Sequence, residues 1–117
     1  MVSPFRIIAA AIPALIELCQ DGLEPMRAKF GVCTVLSGYR PRAYNESIGG
    51  AKHSFHIYDE RPQAPAADTM YATGSPKEWA KYARKLLGRK RGGVGRYDRS
   101  GFMHCDERGY RADWQGN

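Results

Sequence analysis

Histidine is scarce in this chain, occurring only as His53, His56 and His104. A single histidine reads most simply as a surface or satisfied core residue, so the case for chemistry rests on context. His56 closes the stretch Gly49-Gly50-Ala51-Lys52-His53-Ser54-Phe55-His56, and His104 lies in Phe102-Met103-His104-Cys105-Asp106. Each falls beside carboxylates at an expected loop or strand edge. Two imidazoles and one carboxylate suit a catalytic zinc, because three protein ligands leave a fourth position open for water. Asp68, in Pro65-Ala66-Ala67-Asp68-Thr69, is the third ligand on this reading.

The elements that must position these residues follow from periodicity. Leu15, Leu18, Cys19, Leu23, Met26 and Phe30 recur at helical spacing and Gly31 follows, which predicts a helix over much of 13–30. Gly22 and Pro25 lie inside it and predict a kink or break near Gly22. Val32 to Leu36 is short, apolar and β-branched, a buried strand running into the turn Ser37-Gly38-Tyr39-Arg40-Pro41. Residues 43–65 show neither period and read as one long ordered loop, a feature usually kept for function. A second short strand is expected over 66–72.

Ser75-Pro76-Lys77-Glu78 is a capping box with proline at the first helical position. The helix it starts repeats Trp79, Tyr82, Ala83, Leu86 and Leu87 on one face, and Gly88 ends it. Val94 to Tyr97 and Phe102 to Asp106, joined through Arg99-Ser100-Gly101, form a hairpin. The order helix, strand, loop, strand, helix, hairpin is an α+β layout with a small, mostly antiparallel sheet.

Length and composition narrow the classes. With 117 residues, 43% apolar and 26% charged, the chain suits a single domain spanning 1–117. Its longest apolar stretch, Ile7 to Ile16, is about half a bilayer span and is broken by Pro13, which excludes membrane insertion there. One arginine before that stretch and no small-x-small site after it argue against a signal peptide. Cys19, Cys33 and Cys105 are widely spaced and odd in number, so a disulfide framework is not supported and buried free thiols are expected. Eighteen Lys and Arg against twelve Asp and Glu give +6, which favours a polyanionic partner: nucleic acid, anionic lipid or acidic cell wall. The basic run from Lys85 to Arg91 reads as a solvated helix end, or as a hold on anionic wall polymers.

Taken together, Ser37-Gly38-Tyr39-Arg40, Asn45, Ile48-Gly49-Gly50-Ala51, Ser54-x-His56, Ala66-x-Asp68, Gly92-Gly93-Val94-Gly95-x-Tyr97 and Phe102-x-His104-x-Asp106, followed by Arg111 and Trp114, resemble the zinc D-alanyl-D-alanine peptidases. That group shares its fold with the hedgehog signalling domain. The resemblance runs from about Leu15 to Trp114. It implies a hedgehog/DD-peptidase-like α+β fold and a zinc hydrolase acting on peptide stems of peptidoglycan, with no specific nucleic acid and no membrane insertion. Such domains occur in phage lysins and virion parts, so phage virion or lysis proteins are implied partners. A cytoplasmic pool before release, or a place in a virion, is the corresponding location.

Carried over residue by residue, the metal ligands are His56, Asp68 and His104. Twelve positions separate His56 from Asp68 against seven in the family's S-x-H-x-x-G-x-A-x-D pattern, and Ala64 stands where its glycine would be. A five-residue insertion around 58–62 accounts for the difference, and it leaves Asp59 or Glu60 as alternatives to Asp68. Many members place a base three residues before the last histidine, where this chain has Gly101. The hedgehog-type spacing puts it in a tyrosine-acid pair six residues before, making Asp98 the first candidate base and Asp106 its rival. Arg40 corresponds to the arginine that holds substrate or the developing oxyanion, and Ser54 and Asn45 to loop organisers or substrate hydrogen-bonders. Two other readings remain: a non-catalytic zinc-binding module, such as a phage structural component, and a basic nucleic-acid-binding protein.

Overall fold

The computed structural model describes residues 3–59 and 61–117. It opens with α1, Pro4–Leu18, passes through one π turn, Cys19–Leu23, and continues as α2, Glu24–Phe30. The helix therefore begins nine residues before Pro13 (13 − 4), because Ser3 accepts the amide of Arg6 and Pro4 occupies the first turn. Pro13 is carried inside α1. The expected irregularity near Gly22 is the π turn. In an α-helix the Pro25 ring would meet the carbonyl of residue 21, and widening the turn so that the Glu24 amide reaches the Cys19 carbonyl relieves that clash.

A five-stranded sheet follows, in the order β1-β2-β4-β3-β5. β1 is Cys33–Ser37, β2 Ala66–Tyr71, β3 Gly92–Tyr97, β4 Phe102–Asp106 and β5 Arg111–Gly116. All neighbours are antiparallel except β3 and β5. The mixed α+β layout is as expected, but β5 was not. Its residues alternate between exposed and half-buried and it is short and polar, so alternation in the sequence alone did not mark it. The long loop also carries a short helix, α3, Arg42–Ser47, started by Pro41, whose carbonyl accepts the Asn45 amide.

One sheet face makes the core. Ala67, Tyr71, Val94, Met103 and Cys105 point to this side, against Leu18, Met26 and Phe30 and against α4, Pro76–Leu87. α4 starts and ends where its caps dictate, at Ser75 and at Gly88 with φ 91°. It buries Trp79, Ala83 and Leu87, and Trp79 donates its indole N–H to the Thr73 carbonyl. Of the three free thiols, Cys105 alone is buried, with burial pushing it up to about 12; Cys33 is half-buried and Cys19 exposed. Among the described residues no helix is long and apolar enough to cross a membrane.

Strand alternation sends every other residue to the opposite face. There the register aligns one row across all five strands: Ser37 opposite Asp68, Asp68 opposite His104, His104 opposite Gly95, and Gly95 opposite Trp114. A bulge between Val35 and Ser37 brings Ser37 into that row.

Candidate metal centre

Asp68 and His104 meet because they are cross-strand partners on β2 and β4. His104 Nδ1 lies 3.2 Å from Asp68 Oδ1. His56 arrives from the loop, held by two ladder-like bonds: its carbonyl accepts the Arg40 amide at 2.7 Å, and Ala66 donates to Phe55 O at 3.2 Å. Its Nε2 sits 3.1 Å from the same Asp68 Oδ1. One ligand atom from each of the three residues falls within 4.8 Å of the others, and all three residues are buried.

The protons of both rings are assigned by their outer partners. His56 Nδ1 is 2.7 Å from Gly38 O, which can only accept, so Nδ1 carries hydrogen. His104 Nε2 is 2.6 Å from Asp106 Oδ2 and donates to it. In the neutral rings, His56 Nε2 and His104 Nδ1 are then lone pairs, both aimed at a carboxylate oxygen. His56 Nε2 and Asp68 Oδ1 are buried without a hydrogen-bond partner. With both rings neutral these converging lone pairs have no donor between them, so positive charge must sit there, as a proton on an imidazole or as a metal ion. The two histidine-to-aspartate spacings suit zinc, whose tetrahedral N and O ligands stand roughly 3.3 Å apart when bonded at about 2.0–2.1 Å. The donor set of two imidazoles and a carboxylate therefore fits the ion inferred from the sequence.

Electrostatics support the arrangement. Burial alone would raise the Asp68 carboxyl, but the imidazoles of His104 and His56, which in their protonated forms donate to it through the same inward nitrogens, outweigh burial and hold the group well below the usual carboxylate range. Burial would likewise raise Asp106, which the hydrogen bonds of His104 and Arg108 instead hold low. Against burial, which lowers it, His104 is raised by Asp106 and Asp68.

The structure moves several expected roles. Asp98, expected as the first candidate base, lies apart from the cluster: its carboxylate is exposed and engages Arg96 at 3.3 Å and Gln115 at 3.2 Å. Asp98 lies in the turn just past β3 and its partners Arg96 and Gln115 belong to the α4 side of the sheet, whereas Gly95 and Tyr97 share the His104 side. The tyrosine-acid spacing thus turns the tyrosine toward the cluster and the acid away from it. Asp106 has no exposure and is enclosed by His104, the Gly93 amide and a two-pronged Arg108 contact at 2.7 and 2.9 Å, so it orients His104 and cannot reach substrate.

Asn45, expected as a loop organiser or a substrate hydrogen-bonder, is enclosed by the loop. It is 1% exposed and organises the loop, donating to Ala51 O at 2.8 Å, while Gly50 packs so closely that a Cβ there would lie 2.3 Å from Asn45 Oδ1. Arg40 spends its fork on Ser37, Asn45 and Asp68 Oδ2, the last at 3.1 Å. It reaches the cavity wall while aiming at Asp68. Ser54 lines the same cavity and its hydroxyl accepts the His56 amide.

The segment between His56 and Asp68 is anchored as well as looped. Tyr58 is buried and donates to Ala66 O at 2.9 Å, and Asp59 is exposed and faces Arg42 at 3.7 Å, away from the cluster. Glu60 lies outside the described residues. Arg108 and the Gly38 carbonyl were not anticipated. Gly93, where a Cβ would fall 2.4 Å from Asp106 Oδ2, is the trace of Arg108 and Asp106 packing that the sequence does carry.

The cluster forms the floor of an open cavity of about 660 Å³, walled by Arg40, Phe55, Arg61, Tyr97, Arg108 and Trp114 among others. The Peptidase M15 family profile matches residues 6–106. This chain belongs to the M15 peptidase family. Membership carries zinc-dependent peptidase activity, and the buried His56, Asp68 and His104 of this M15 chain are a cluster able to hold the metal. Neither the curated proteins nor the solved structures compared with the chain give a match.

Proposed function

We propose that this M15 chain is a single-domain zinc peptidase of the hedgehog/DD-peptidase fold that hydrolyses peptide bonds in the stems of bacterial peptidoglycan, as a carboxypeptidase or an endopeptidase. The observation that carries the reading is the convergence of His56 Nε2, His104 Nδ1 and Asp68 Oδ1 on one point at the floor of an open cavity. Bound there, zinc would supply Lewis acidity and a nucleophile drawn from water at neutral pH.

The chain's own groups do the rest. Gly38 O and Asp106 set the ring tautomers so that the correct nitrogens face inward. Arg40 occupies Asp68 Oδ2 and leaves Oδ1 for the cluster. Phe55, with Arg61 and Arg108 stacked on it at 4.4 and 3.8 Å, makes a flat cationic wall suited to a peptide that carries carboxylates. Peptidoglycan stems have that character, and the chain's +6 charge favours approach to an anionic wall. Release through a phage lysis system or carriage in a virion would bring the protein to this substrate.

The test is zinc analysis of the purified protein together with digestion of purified peptidoglycan. Stoichiometric zinc and new peptide ends support the reading. Stoichiometric zinc with no product from any wall chemotype would make the chain a non-catalytic zinc module.

A further inference from the structure

Trp114 lies opposite Gly95 in the parallel β3–β5 pair, and a Cβ on Gly95 would fall 2.3 Å from the indole Cε2. The missing side chain lets the indole lie across β3 until its ring stands 4.8 Å from that of His104. From there Nε1 donates to Tyr97 Oη at 2.8 Å. Tyr97 is also stacked on Phe102, centroids 4.4 Å apart and planes 11° from parallel, and its edge rests on Gly116, where a Cβ would come within 2.5 Å of the ring. The phenol is thus held at its face, its edge and its tip.

A phenol oxygen has one proton and two lone pairs, and an indole N–H only donates. Trp114 therefore occupies a lone pair and cannot take the proton. Among the described residues no acceptor takes it either, and Tyr97, Trp114 and His104 all line the cavity. The result is a rigid donor on the cavity wall, one indole width from a ligand of the cluster. A donor fixed before the ligand arrives needs no reorganisation when it is used.

We propose that Tyr97 is a substrate-contacting residue that donates a hydrogen bond from Oη to a carbonyl oxygen of the bound peptide, and that Trp114 is the positioning residue that aims it. This rests on the peptidase reading above.

The test uses the full zinc-loaded chain, with purified peptidoglycan and a soluble pentapeptide stem ending in D-Ala-D-Ala. Tyr97→Phe should keep stoichiometric zinc and lose about tenfold in kcat/KM, the value of one hydrogen bond to substrate. It should bind a phosphinate isostere of the cleaved bond about tenfold more weakly in calorimetry. Trp114→Phe should lose activity by itself yet add nothing in the Tyr97→Phe background, since the two act as one unit. Wild-type rates in Tyr97→Phe, or equal losses from Trp114→Phe in both backgrounds, would overturn the proposal. Should Tyr97→Phe not fold, Trp114→Phe decides alone: an unchanged kcat/KM overturns it. If the wild type cleaves neither substrate, the peptidase reading falls, and direct calorimetry of the intact stem judges Tyr97 separately, equal affinity in Tyr97→Phe overturning its role.

Discussion

His104 and Asp106 stand two residues apart on one face of β4, and their side chains meet at 2.6 Å, so a single strand supplies both a candidate metal ligand and the carboxylate that orients it. Asp106 is fully buried and also binds Arg108, which makes it a fixed acceptor with no path to substrate.

Asp106→Asn removes charge at nearly constant shape. Its amide can present nitrogen or oxygen to His104, so the ring is no longer held in one tautomer. Zinc affinity should fall by about 10- to 100-fold, the usual effect of losing a group that orients a metal-bound histidine, as measured by competition with a chelator. Unchanged affinity would show that β4 packing alone aims the ring.

Asp68 and Asp98 should separate cleanly. Asp68→Asn, His56→Ala and His104→Ala should each abolish stoichiometric zinc, read by elemental analysis after dialysis. Asp98→Asn should retain zinc and keep kcat/KM within about twofold, since surface polar changes are usually small and its carboxylate meets only Arg96 and Gln115. A large activity loss in Asp98→Asn with the fold intact would return that residue to the mechanism.

Gly95→Ala places a methyl carbon 2.3 Å from the Trp114 ring. Overpacking of this kind costs about 1–3 kcal/mol, so the melting temperature should drop by several degrees. The indole should also leave His104, which a shifted Trp fluorescence spectrum would report. A melting curve identical to wild type would mean that β5 moves away freely.

Glu107 predicts a pH dependence of stability. Burial, then the hydrogen bond and charge of Asp21, push its carboxyl up to about 7. A carboxyl raised in the folded state binds more protons folded than unfolded, so its contribution is present below its unfolded value near 4.5 and is lost as pH rises through about 7. Denaturant midpoints should therefore fall between pH 5 and 8, and Glu107→Gln should flatten that slope. An equal slope in both proteins would assign the effect to other groups.

Local signals were legible wherever chemistry and backbone agree over a few residues. Ser75-Pro76 and Gly88 delimit α4, the Val94 to Asp106 hairpin stands where alternation and Arg99-Ser100-Gly101 put it, and Pro25 beside Gly22 marks the π turn. The residue types at His56, Asp68 and His104, and their order along the chain, named them as one candidate set, with Asp59 and Glu60 still open as alternatives to Asp68. Parity, register and burial were not available at that level. Only the paired strands set Gly95 opposite both His104 and Trp114, drew β5 in as a parallel edge and kept Tyr97 on the near face, while the turn after β3 left Asp98 on Arg96 and Gln115. Asn45 and Asp106 read as polar residues free to meet a substrate until packing enclosed them. The reason is physical: caps, turns and periodicity act over one or two turns of chain, whereas the direction of a side chain depends on which strand lies beside it, and partners such as Gly38 and His56 are brought together only by the folded backbone.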